Sequence, residues 1–99
     1  MNKFAFPINK KKIKAFCKKY HILSLALFGS ILTSRFQPSS DVDVLVKFEK
    51  KHIPNFFELI DMECELSSII GRKVDLKTPN DLSPYFRKEV LSKAQIIYG

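Results

Sequence analysis

"LFGSILTSRFQPSSDVDVLVKFE", residues 27–49, is the stretch that decides the fold. An apolar run ends in a Gly-Ser turn, Gly29-Ser30, and a second apolar run begins at 41 with two aspartates, Asp41 and Asp43. In "DVDVLVKF" the residues alternate. Val42, Val44, Val46 and Phe48 fall on one side of an extended strand, and Asp41, Asp43, Leu45 and Lys47 on the other. Both carboxylates therefore leave the same face of a strand whose opposite face is wholly apolar. A strand entering a core should shed charge, so the acids need a partner.

Outward from this stretch, the pattern predicts an alternation of helices and strands. Asn9 caps a helix to about Tyr20, with Ile13, Phe16, Cys17 and Tyr20 on one buried stripe and lysines on the other faces. "ILSLALF", Ile22 to Phe28, reads as a buried strand, "SILTSRF" as a short helix and "QPSS" as a loop. Pro54 opens a second long helix whose stripe is Leu59, Met62, Leu66, Ile69 and Ile70, with Gly71 as its stop. "KVDLKT", 73–78, is a third strand that turns Asp75 away from Val74 and Leu76. Ser83-Pro84 starts a last helix, and "AQIIY" is its tail or a fourth strand. The expected fold is α/β (α+β): a small mixed sheet with helices packed on one face, in a single domain over 1–99.

Composition narrows the function. With 99 residues, 45% of them apolar and only three glycines, the chain is expected to fold without disulfide or metal support. Cys17 and Cys64 read as reduced core thiols of a cytoplasmic protein. His21 and His52 stand alone beside apolar residues and read as ordinary side chains, not ligands. No signal peptide is expected, and the longest apolar run is far too short for a membrane. The net charge is +7, with six lysines in "NKKKIKAFCKKY" (9–20): a surface for nucleic acid, nucleotide or an acidic partner, or a plain solvated face.

If the strand of Asp75 lies beside that of Asp41 and Asp43, three carboxylates converge. Close anions repel unless cations counter them, and an all-oxygen ligand set selects Mg²⁺ or Mn²⁺ over zinc. Two such ions, about 3.5–4 Å apart, activate an attacking hydroxyl and stabilise a leaving pyrophosphate in displacement at phosphorus. The glycine turn fits beside them, since Gly29 lets the backbone approach a ligand and Ser30 offers a hydroxyl to a phosphate.

"GS" at 29–30, ten residues, then "DVD" at 41–43 resembles the Gly-Ser-x10-Asp-x-Asp signature of the DNA polymerase β-like nucleotidyltransferase superfamily. The "LFGS" lead-in, "SSDVDVLV", "IIGRKVDLKT" and the "IIYG" ending are similar to its minimal nucleotidyltransferase branch, over about residues 10–98. The resemblance implies a polymerase β palm-like fold in which Asp41 and Asp43 hold the metal ions. Asp75 completes the site and accepts the proton of the attacking hydroxyl, while Gly29 and Ser30 hold the phosphates of ATP. It also implies a partner, because many members of this branch are antitoxins paired with a HEPN-domain toxin and some adenylylate a tyrosine on it. One departure stands out. The Arg-Gly pair common three and four residues after the serine is replaced by Thr33 and Ser34, and Arg35 stands two positions further on.

The expected activity is thus Mg²⁺-dependent transfer of AMP from ATP to a hydroxyl of a partner HEPN toxin, within a hetero-oligomer. The chain is too short for the extra domains with which larger relatives grip tRNA, DNA or an antibiotic, so the acceptor must be held by the shared surface of a complex. Two alternatives stand: an antitoxin that blocks its partner by binding alone, which the Thr33-Ser34 departure favours, and a stand-alone enzyme acting on RNA or a small molecule, which the lysine-rich helix favours.

Overall fold

The computed structural model describes residues 8–29 and 41–99. Helix α1 spans Lys10–Lys19, strand β1 Ile22–Phe28, strand β2 Val42–Phe48 and helix α2 Phe56–Ile70. Strand β3 follows over Val74–Lys77, then a 3-10 turn over Pro79–Asp81, helix α3 over Pro84–Lys93 and strand β4 over Gln95–Tyr98. The short helix read in "SILTSRF" and the loop read in "QPSS" lie outside the described residues, as do Ser30, Thr33, Ser34 and Arg35.

The four strands form one mixed sheet in the order β3-β2-β1-β4. β1 pairs antiparallel with β2 and β4, and β2 pairs parallel with β3. "AQIIY" is therefore a strand, edging the sheet beside β1. Gln95–Tyr98 follows α3 after the cap residue Ala94, whose extended backbone (φ −59, ψ 140) ends the helix.

β2 is held by its apolar face. Val42, Val44 and Val46 are fully buried with Leu25 and Leu27 of β1, Ile13, Phe16 and Cys17 of α1, and Met62, Leu66 and Ile70 of α2. Each large aliphatic side chain buried in this way contributes roughly 1.5–3 kcal/mol. That sum lets the strand tolerate charge on its other side. The expectation of helices on one face holds for α1 and α2. It is corrected for α3: Val90 and the cap residue Ala94, with Leu82, cover the opposite face, where Ala26 and Phe28 of β1 meet Leu45 of β2. Leu45 already lies on the aspartates' side of β2, and a sheet apolar at that position on its second face needs a cover.

The helix ends follow local chemistry. Asn9 accepts from Lys12 N at 3.1 Å. α2 starts at Phe56, two residues later than Pro54: Asn55 is the cap, in a reciprocal box with Glu58 (2.8 and 3.2 Å), and Pro54 precedes it. Gly71 ends α2 in the left-handed conformation at φ 82. Ser83 caps α3 with Pro84 in the first turn. The lysines of α1 face solvent as expected, whereas Cys64 is exposed on α2 and not a core thiol: its position misses the Met62–Leu66–Ile70 stripe. Among the described residues no helix is long and apolar enough to cross a membrane.

Candidate active site

The acids stand at one end of the sheet. Asp43 pairs with Phe28 on β1, the last residue of that strand, and in register with Asp75 on β3. Asp41 lies two residues upstream, exposed at the mouth of β2. The parallel β2–β3 pairing thus juxtaposes two of the three sequence-predicted carboxylates directly, on the face away from α1 and α2.

α2 sets the position of β3. β3 is an edge strand, and its outward N–H groups would otherwise be unpaired. Val74 N donates to the Ser67 hydroxyl at 2.9 Å, and that hydroxyl donates in turn to Glu63 O at 2.7 Å. Leu76 N donates to Glu63 Oε2 at 2.8 Å. Asp75 lies between these two anchors. At the strand's start, Val42 N donates to Lys73 O at 2.8 Å and ties β3 to the acidic end of β2.

The electrostatics are those of a crowded anionic site. Burial, and then the nearby Asp75 charge, hold the Asp43 carboxyl above the ordinary carboxylate range; Lys77 opposes this and Asp41 adds to it. Lys77 Nζ lies 3.6 Å from Asp75 Oδ2, with both side chains well exposed, so this cation screens the cluster only weakly. The set contains oxygen donors alone, the kind a hard divalent cation takes.

Gly29 is shaped by the same acid. Its φ is +79, which L side chains rarely adopt. A Cβ there would press into Asp43 Oδ2 and lie 3.2 Å from Asp43 Cγ. The turn after β1 comes this close to the carboxylate only because residue 29 has no side chain. The expected partners of Gly29 in phosphate binding, Ser30 and Arg35, lie outside the described residues.

A second group, containing the two histidines read from the sequence as ordinary side chains, lies at the opposite end of the β1–β2 pair. His21, Glu49 and His52 bring their ligand-capable atoms within 4.8 Å of one another. The two histidines are far apart in sequence, and only the strand register brings them together: the Ile22↔Phe48 pairing puts the residue before β1 opposite the residue after β2.

Comparison with known proteins agrees with this architecture. Residues 11–99 match the family described as polymerase beta, nucleotidyltransferase. A protein of Methanocaldococcus jannaschii with the provisional name protein adenylyltransferase is 36% identical over 84 residues, 84% of each chain. Protein adenylyltransferase MntA of Thermococcus cleftensis is 30% identical over 90 residues, 91% of this chain and 84% of its own. A toxin–antitoxin crystal structure with AMP-PNP contains a chain of similar fold, with TM-score 0.72 and 20% identity, covering 93% of this chain and 74% of that one. A complex of tri-AMPylated Shewanella oneidensis HEPN toxin with MNT antitoxin matches with TM-score 0.64 and 18% identity, covering 91% and 69%.

The fold is that of a nucleotidyltransferase, an enzyme class, and the chain belongs to the polymerase β nucleotidyltransferase family. Within that family it groups with the minimal, MntA-type proteins, as the Gly-Ser-x10-Asp-x-Asp resemblance implied.

Proposed function

We propose that the chain is a Mg²⁺-dependent protein adenylyltransferase that moves AMP from ATP to a tyrosine hydroxyl of a partner HEPN-domain toxin, and so acts as its antitoxin. The observation that carries the reading is the pairing of Asp43 with Asp75 across β2 and β3, Asp41 two residues upstream, against a glycine turn without a Cβ. Relatives named protein adenylyltransferase, and the similar fold in a toxin–antitoxin structure with AMP-PNP, support it.

In this reading Asp41, Asp43 and Asp75 hold divalent ions, two Mg²⁺ or Mn²⁺. The carboxylates fit that task, since their repulsion is what a cation relieves. Bound there, the ions supply charge neutralisation for the phosphates and the departing pyrophosphate. The acceptor oxygen attacks the α-phosphorus, its proton passes to an Asp75 carboxylate oxygen, and the bond to the bridging oxygen of the β-phosphate breaks as pyrophosphate leaves. The Gly29 backbone and the Ser30 hydroxyl receive the phosphates, with Arg35 in place of the missing Arg-Gly pair. The protein works in the cytoplasm, in a hetero-oligomer whose shared surface orients the acceptor, and α1 offers its lysines to an acidic partner.

Incubating the partner with this chain, ATP and Mg²⁺ and measuring its intact mass tests the proposal. A gain of AMP units is expected, with none in the Asp41→Asn variant. An unmodified but still neutralised toxin establishes instead the binding-only antitoxin, which Thr33 and Ser34 favour.

A further inference from the structure

Tyr20 and His21 link α1 to β1, and His21 adopts a left-handed backbone with φ 57. A left-handed residue just past the cap Tyr20 is a common way to end a helix, histidine accepts it more readily than most side chains, and the reversal carries the His21 ring toward the end of β2. What it is aimed at is visible. Glu49 N donates to His21 O at 3.1 Å, which extends the β1–β2 ladder by one step, and His52 N donates to Glu49 O at 2.9 Å, which folds the chain back. The His21 and His52 rings then stack with centroids 3.7 Å apart and planes within 10°. His21 Nδ1 lies 3.7 Å from Glu49 Oε2.

We propose that His21, Glu49 and His52 form a binding site for one transition-metal ion of the Zn²⁺ class. Zinc bonds of about 2.0–2.1 Å in a tetrahedron place donor atoms roughly 3.3 Å apart; the donors here lie within 4.8 Å, and the two stacked rings must swing out of parallel about their side-chain torsions, as exposed side chains can, for both lone pairs to meet at one ion. Two imidazoles and one carboxylate suit Zn²⁺, and they discriminate against Mg²⁺, which demands oxygen. The backbone hydrogen bonds hold the three residues side by side before any ion arrives, so binding has to order only their side chains. All three residues are exposed, and a cavity of about 370 Å³ lined by Tyr20, His21, His52, Ile53 and Pro54 opens beside them, so water can complete the shell. The site is distinct from the aspartates. Glu49 follows the end of β2, six positions after Asp43, about 20 Å along an extended chain.

The full chain titrated with ZnCl₂ by calorimetry tests this, with the two imidazoles followed by NMR. One equivalent of Zn²⁺ is expected to bind, with both imidazole signals shifting together and binding unchanged in Asp43→Asn. Affinity should fall at least about tenfold in His52→Ala, an exposed position, and in His21→Asn, where asparagine tolerates the left-handed backbone. Loss of binding in Asp43→Asn would place the ion at the aspartates and overturn the proposal. So would undiminished binding in His52→Ala, which would assign it to another donor such as the exposed Cys64, or no binding to the wild type.

Discussion

Replacing Gly29 by alanine probes the closeness of the β1 turn to Asp43, and Gly71 provides its control. Both glycines have nearly the same backbone, φ +79 and +82, but a Cβ at Gly71 meets nothing within 4 Å. Gly71→Ala should therefore cost only the left-handed penalty, about 1–2 kcal/mol. At Gly29 the new methyl also drives into Asp43 Oδ2 and forces that carboxylate from its rotamer, a further 0.5–1.5 kcal/mol or so. The total for Gly29→Ala is then roughly 1.5–3.5 kcal/mol. Urea unfolding of both variants measures the difference, provided the slope is unchanged. In an Asp43→Ala background the extra cost should vanish, and Gly29→Ala should cost no more than Gly71→Ala. If the two single variants are equally destabilised, or if the excess persists without the Asp43 carboxylate, close approach is not why residue 29 is glycine.

Three further outcomes follow from the same geometry. Asp43→Asn should leave the metal-free protein as stable or more stable near neutral pH while abolishing transfer. Because the fold holds this carboxyl above its usual range, the stability of the neutral acid is fully present below the unfolded value and lost as pH rises through the folded one; the wild type should thus fall behind Asp43→Asn across that window in EDTA. Ser67→Ala strands Val74 N at the start of β3 and should cost about 1–3 kcal/mol in thermal or urea unfolding, lowering transfer by loosening Asp75; an unchanged activity would separate β3 anchoring from catalysis. A thiol reagent at mildly alkaline pH should modify Cys64 at once and Cys17 only on unfolding, since burial pushes the Cys17 thiol up to about 12; two fast thiols would contradict the buried α1 stripe.

Much of the molecule was legible in the sequence because period and punctuation agreed. The alternation of "DVDVLVKF" placed Val42, Val44 and Val46 in the core and the aspartates opposite, and that is the arrangement found. Asn9, Gly71 and Ser83 marked helix ends through hydrogen bonds that depend on near neighbours only. Local signals compete, though. Pro54 was read as the helix start, although Asn55 with Glu58 three residues on made the stronger, reciprocal cap. What was not legible depended on how separate elements meet. α3 has no strongly apolar face, so nothing in its own residues revealed that it covers Leu45 from the far side. Nor could spacing show that Gly29 abuts Asp43, or that His21 and His52 stack; both require the register of β1 on β2.

The proposed function requires the aspartates at the starts of β2 and β3 to hold the divalent ions of nucleotidyl transfer. Crystals soaked with Mn²⁺ and a non-hydrolysable ATP analogue, measured for anomalous scattering, address it directly. A manganese peak bonded to carboxylate oxygens of Asp43 and Asp75, at about 2.0–2.2 Å, with the phosphates beside Gly29, is expected. Nucleotide bound with no metal at these residues, or manganese found only at His21, Glu49 and His52, would contradict it.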